Sequence, residues 1–145
     1  MTVARILSVK GRKVITAPPT ASVAEVARTL AENRIGAVVI TVGPGKIKGI
    51  VSERDIVRAV GIDGPSALQK PVSAIMTGVV RTCQEADTEA ALMAVMTTHR
   101  IRHLPVVNRD DQIDGMVSIG DVVKHHIEAI EREAEEMRAY IATSG

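Results

Sequence analysis

A nine-residue phrase occurs twice in this chain. Gly49-Ile50-Val51-Ser52-Glu53-Arg54-Asp55-Ile56-Val57 and Gly115-Met116-Val117-Ser118-Ile119-Gly120-Asp121-Val122-Val123 share Gly, two apolar residues, Ser, two variable residues, Asp and two β-branched residues. Each reads as a buried strand turning directly into a helix, with Ser at the N-cap and Asp three residues on completing a capping box. The two copies lie 66 positions apart. At the same offset Thr16 falls on Thr82, Ser22 on Thr88, Leu30 on Met96, Arg34 on Arg100 and Ile35 on Ile101, with no gap. A chain so duplicated must fold as two versions of one unit.

One unit reads as follows. A short strand ends at Thr16, and Ala17-Pro18-Pro19-Thr20 is a stiff loop. Ser22 and Glu25 open a helix whose apolar face is Val23, Val26, Ala27 and Leu30, closed by Asn33. Ile35 to Val42 is a buried strand, Gly43-Pro44-Gly45 a turn, and Ile47 to Val51 the returning strand. A second helix runs from Ser52 to about Val60, before Gly61. The second copy repeats this order, with a helix from about Glu89 to Thr98, strands at Leu104–Val107 and Ile113–Val117, and a last helix from Ser118. Pro105 removes a backbone donor and argues for an edge or irregular position. The expected division is repeat 1 over 1–60, a Gly/Pro-rich linker over 61–71, repeat 2 over 72–126 and a helical extension over 127–145.

Neither copy can cover both faces of its own small sheet, so the fold class is α+β, two β-α-β-β-α repeats docked as a pseudo-twofold pair with a cleft between them. The extension carries Val123, Ile127, Ile130, Ala134, Met137 and Ile141 at alternating steps of four and three, an a/d seam suited to a second chain. Composition narrows the partners. Net charge is +1 and Tyr140 is the only aromatic residue, so neither nucleic acid nor an anionic membrane is an expected partner. Cys83 is alone, which excludes an internal disulfide and is read as a buried structural thiol. No stretch reaches the length of a membrane span and Met1 to Lys10 lacks a signal-peptide core, so a cytoplasmic location is expected. His125-His126 is expected to be solvated. His99 and His103 flank a helix-to-strand junction and do not share a helical face, so no metal site is expected, and no nucleophile-and-base set implies catalysis.

The repeated Gly-x-x-Ser-x-x-Asp phrase, the run His99-Arg100-Ile101-Arg102-His103-Leu104-Pro105-Val106-Val107 and the opening Val72-Ser73-Ala74-Ile75-Met76-Thr77 resemble a tandem pair of CBS domains, the cystathionine-β-synthase-type module, over roughly residues 3 to 126. Ile6-Leu7 fits the same opening in the first copy, with three extra residues before Thr16. The chain looks like the stand-alone type. The resemblance implies a non-catalytic regulatory module that binds an adenine nucleotide such as AMP, ATP, NAD(H) or S-adenosylmethionine, often as a homodimer that signals to a regulated protein. It implies Thr16 and Thr82 beside adenine, Asp55 and Asp121 on the ribose hydroxyls, and Ser52, Ser118, Arg102 and His103 at phosphate, with Ala37, Val38 and Leu104 as neighbouring ligand contacts.

The residues themselves are compatible with that chemistry. A helix start favours an anion, and a carboxylate in the first turn suits a hydroxyl-rich ribose better than a phosphate. Arg54, Arg100 and Arg102 are candidate phosphate partners, and His103 adds charge only when protonated. The copies differ here, because Arg102-His103 faces Gly36-Ala37 and Arg54 faces Gly120 at the shared offset. Unequal sites, one good site or one larger dinucleotide are therefore all consistent with the residues. A ligand-independent homodimeric scaffold, in which Ser and Asp only cap helices, is the alternative.

Overall fold

The computed structural model describes residues 1–144. The order is α1 (Val3–Lys10), β1 (Thr16–Ala17), α2 (Val23–Asn33), β2 (Ala37–Val42), β3 (Lys46–Ser52), α3 (Glu53–Asp63), 3₁₀ turns at Gly64–Gln69 and Val72–Ala74, α4 (Glu89–His99), β4 (His103–Val107), β5 (Ile113–Ser118) and α5 (Ile119–Ser144). The duplication is visible in the local chemistry. Ser22 Oγ accepts from the Glu25 N–H and Thr88 Oγ1 from the Ala91 N–H, both at 3.1 Å. Both helices then stop on a left-handed arginine, Arg34 at φ 53° and Arg100 at φ 54°. Even the register slips recur, between Ile40 and Thr41 and between Val106 and Val107.

In the first repeat β1 runs parallel to β2, and β2 pairs antiparallel with β3. In the second, β4 and β5 pair antiparallel, and the strand expected at Thr82 is reduced to one parallel bridge between Cys83 and Val106. Pro105 sits within β4, where its carbonyl accepts from the Cys83 N–H at 2.9 Å. Its missing N–H faces this same outer side, where Cys83 is the only bridged residue among the described residues, so no ladder bond is lost. Helix α3 does not stop at Gly61. Gly in a helix costs about 1 kcal/mol, which packing tolerates, and the actual stop is Gly64 at φ 71° followed by Pro65.

The repeats exchange their opening segments. Val3, Ile6 and Leu7 of α1 lie in one core with Leu92, Met96, Leu104, Val106, Val117 and Val122 of the second repeat. Val72, in one core with Val23, Val26, Leu30, Val38, Ile40 and Val51 of the first repeat, is joined there by Ile75 and Met76. Backbone hydrogen bonds hold both crossings, Val3 N–H to the Asp87 carbonyl at 2.9 Å and Val72 N–H to the Ala21 carbonyl at 2.7 Å. Each core is thus completed by the other repeat, which docks the two halves along the expected pseudo-twofold.

Helix α5 begins packed against α1 and α4 through Val122 and His125. The expectation that both histidines are solvated is wrong for His125. It shares the packed face with Val122 and is 7% exposed, its Nδ1 3.2 Å from Glu89 Oε2. Glu89, equally buried, also meets His126 Nδ1 at 2.5 Å, although the His126 side chain is half exposed. Further along, Ile127, Ile130 and Met137 lie 50–61% exposed, so the seam is on the surface of the chain.

Candidate functional site

The two strand-to-helix corners are built alike. Ser52 N–H donates to Asp55 Oδ2 at 2.8 Å while the Asp55 N–H donates back to Ser52 Oγ at 3.3 Å. Ser118 N–H and Asp121 Oδ2 stand at 2.9 Å, and Asp121 N–H and Ser118 Oγ at 3.2 Å. A second backbone bond ties each helix start to its strand entrance, Glu53 N–H to the Gly36 carbonyl at 3.0 Å and Ile119 N–H to the Arg102 carbonyl at 2.8 Å. The capping boxes are therefore real, and they hold the first turns of α3 and α5 against the interface between the repeats.

Two clefts open there, sharing Gly36, Ala37 and His103 as a common wall. The first, about 420 Å³, receives Ser52, Arg54, Asp55 and Arg58 from the first repeat and Thr77, Val79, Val80, Arg81, His99, Arg100 and Arg102 from the second. The other, about 320 Å³, receives Lys10, Lys13, Val14, Ile15 and Arg34 from the first repeat and Met116 and Ser118 from the second. Each cleft thus combines the corner of one repeat with the opening stretch of the other.

Of the residues singled out from the sequence, Ala37, Ser52, Arg54, Asp55, Arg102 and His103 meet at the first cleft. Ser118 lines the second, and Asp121 lies at its edge under Lys10. Val38 and Leu104, 0% and 1% exposed, point into the two cores and line neither cleft, because neighbouring residues of a strand face opposite ways. Thr16 and Thr82 are exposed and also line neither. The chain crosses the clefts just before them, at Val14-Ile15 and Val80-Arg81. Arg58 and Arg81 were missed by the sequence reading: both lie outside the repeated phrase, and only the docking of the repeats brings them together.

Charge separates the clefts. Arg54, Arg58, Arg81, Arg100 and Arg102 surround the first, and among the described residues none of them makes an ion pair or side-chain hydrogen bond. Glu53 and Asp55 are the carboxylates there. In the second cleft the Lys10 ammonium donates to Asp121 Oδ2 at 2.5 Å and to the Met116 carbonyl at 2.7 Å. Burial pushes the Asp121 carboxyl up, but Lys10 and the Ser118 N–H and hydroxyl outweigh it and hold the group below the usual carboxylate range. Burial, with Lys10 and Arg102 nearby, pushes His103 down despite Glu53 and Asp121, so its ring is neutral at pH 7. Cys83 is buried and pushed up to about 12, first by desolvation, so it is a thiol under ordinary conditions.

The sequence pattern of the CBS domain matches residues 6–62 and again 72–128. The chain belongs to the CBS domain family. This CBS pair is similar in structure to a CBS-domain protein of Agrobacterium tumefaciens, at 44% identity and TM-score 0.84, covering 87% of this chain and 99% of that one. A CBS domain protein of Pyrobaculum aerophilum, solved in complex with AMP, is 34% identical with TM-score 0.75 over 83% of this chain and 89% of that one. The mitochondrial CBS domain-containing protein CBSX3 of Arabidopsis thaliana is 35% identical over 126 residues; the match takes in 83% of this CBS pair but 60% of that longer relative. No helix among the described residues is long and apolar enough to cross a membrane.

Proposed function

We propose that this CBS pair is a non-catalytic, cytoplasmic regulatory module that binds an adenine nucleotide, AMP, ATP or NAD(H), in the cleft between its repeats. The observation that carries the reading is the set of five arginines around one cleft with no ion pair among the described residues. Five arginines outnumber the two carboxylates of this cleft, Glu53 and Asp55, and pair with neither, so a phosphate group relieves their mutual repulsion while accepting their forked hydrogen bonds. The start of α3 presents the positive end of its helix dipole, and Asp55 offers an acceptor for ribose hydroxyls. The relative solved with AMP supports the same ligand class.

Signalling requires the nucleotide to prefer one of two packing states. The natural second state is a changed pairing of two copies through α5. Written as a heptad with Ile127 and Ala134 at a and Ile130 and Met137 at d, parallel in-register pairing brings Glu133 opposite Arg138 of the partner subunit. We therefore assign a parallel homodimer through this seam.

Thermal unfolding with AMP, ATP, NAD, NADH and S-adenosylmethionine tests the ligand. A nucleotide at 100 times its Kd adds about 2.7 kcal/mol, or about 5–10 °C for a domain of this size. No shift with any of the five would favour a ligand-independent scaffold.

A further inference from the structure

The clefts are pseudo-symmetric in backbone but not in occupancy, and Lys10 is the difference. Counted from the equivalent core residues Leu7 and Met76, the position matching Lys10 is Val79, which lines the first cleft. The opening segments match at an offset of 69 and the later elements at 66, so three extra residues lie between Leu7 and Thr16. Where the second opening is a single 3₁₀ turn, Val72–Ala74, the first is a two-turn helix that continues to Lys10. The longer helix, in place of a single turn, lays the ammonium across the second cleft, onto the Asp121 carboxylate and the Met116 carbonyl. Asp55, by contrast, has no ion pair among the described residues.

Resting on the nucleotide reading above, we propose that each chain binds one nucleotide, in the Asp55 cleft, and that Lys10 closes the Asp121 cleft by occupying the carboxylate that ribose would need. A ribose diol is neutral and hydrogen-bonds more weakly to a carboxylate than an ammonium does, so it does not displace Lys10. A phosphate entering the second cleft would find Lys13 and Arg34 there but lack the five-arginine set of the first. Lys10 is thus a specificity-determining residue that turns a duplicated fold into a single-site one.

Isothermal titration of the full chain with AMP, and in parallel with ATP, tests this by stoichiometry. One nucleotide per chain is expected for the natural protein. Asp55→Ala should weaken it at least about tenfold, and Asp121→Ala should leave it within about twofold. Lys10→Met, which removes the ammonium and keeps an unbranched side chain, should raise the stoichiometry to two. Two nucleotides per natural chain, loss of the single site in Asp121→Ala rather than Asp55→Ala, or a Lys10→Met protein that still binds one, would each overturn the proposal while leaving nucleotide binding intact. No uptake of either nucleotide by any of these proteins, together with no thermal shift from NAD or NADH, would instead overturn the nucleotide reading, and this proposal with it.

Discussion

Gly49 lies directly beneath Met76: a Cβ placed on Gly49 would fall 2.5 Å from the Met76 sulfur and 2.9 Å from the Thr77 carbonyl oxygen. Its counterpart Gly115 lies against Leu7, whose methyl carbons stand 3.0 and 3.2 Å from the same notional atom. The glycine of the repeated phrase is therefore the crossing point of the exchanged segments. Gly49→Ala meets a backbone oxygen as well as a side chain, so it should cost about 1–3 kcal/mol. Gly115→Ala meets only the movable end of Leu7 and should cost less. Urea midpoints of the two variants check the order, and a larger loss in Gly115→Ala would contradict it.

Glu89 is buried and shared between His125 and His126, linking the start of α4 to α5. Glu89→Ala leaves the His125 ring buried without its acceptor and opens space beside it, at a cost of about 1–3 kcal/mol. The loss should appear in the urea midpoint at pH 7. A variant as stable as the natural protein would mean that water replaces the carboxylate freely.

His103 titrates below its ordinary 6.5 in the folded chain, mainly because it is buried. Well above pH 6.5 the ring is neutral in both states and contributes no pH dependence. As pH falls through about 6.5 the unfolded chain takes up a proton that the folded one resists, so stability declines. Urea unfolding at pH 7.5, 6.5 and 5.5 should show this decline, and His103→Gln should make it shallower. An unchanged slope would place the pH sensitivity elsewhere.

The α5 seam predicts its own disruption. Ile130→Glu should convert a dimer into a monomer in light scattering without lowering the stability of the chain's cores, because Ile130 is 52% exposed. Orientation has a separate check: Ile127→Cys and Met137→Cys should each oxidise to a disulfide-linked dimer, since both positions meet themselves only in a parallel pair. Cys83 does not compete, being buried. A natural protein that is already monomeric would remove the assignment.

Much of the fold was legible because its signals are local. Ser22, Ser52, Thr88 and Ser118 each open a helix by a bond spanning three residues, and Val23, Val26 and Leu30 declare a buried face by spacing alone. The end of α3 was misplaced because Gly61 weakens a helix without ending one. The depth of His125 was missed because its acceptor, Glu89, lies 36 residues away.

By itself the sequence determined that there are two equivalent units, where each turns from strand into helix, and that Ser52 with Asp55 and Ser118 with Asp121 form matching corners. Only the tertiary structure decided which corner is open. The exchange of α1 and the Val72–Ala74 turn, the gathering of Arg54, Arg58, Arg81, Arg100 and Arg102, and the placement of Lys10 on Asp121 all join residues distant along the chain. Such contacts depend on how one packed surface meets another, and a helix in place of a turn, with different cations gathered on each side, makes two similar clefts chemically unlike.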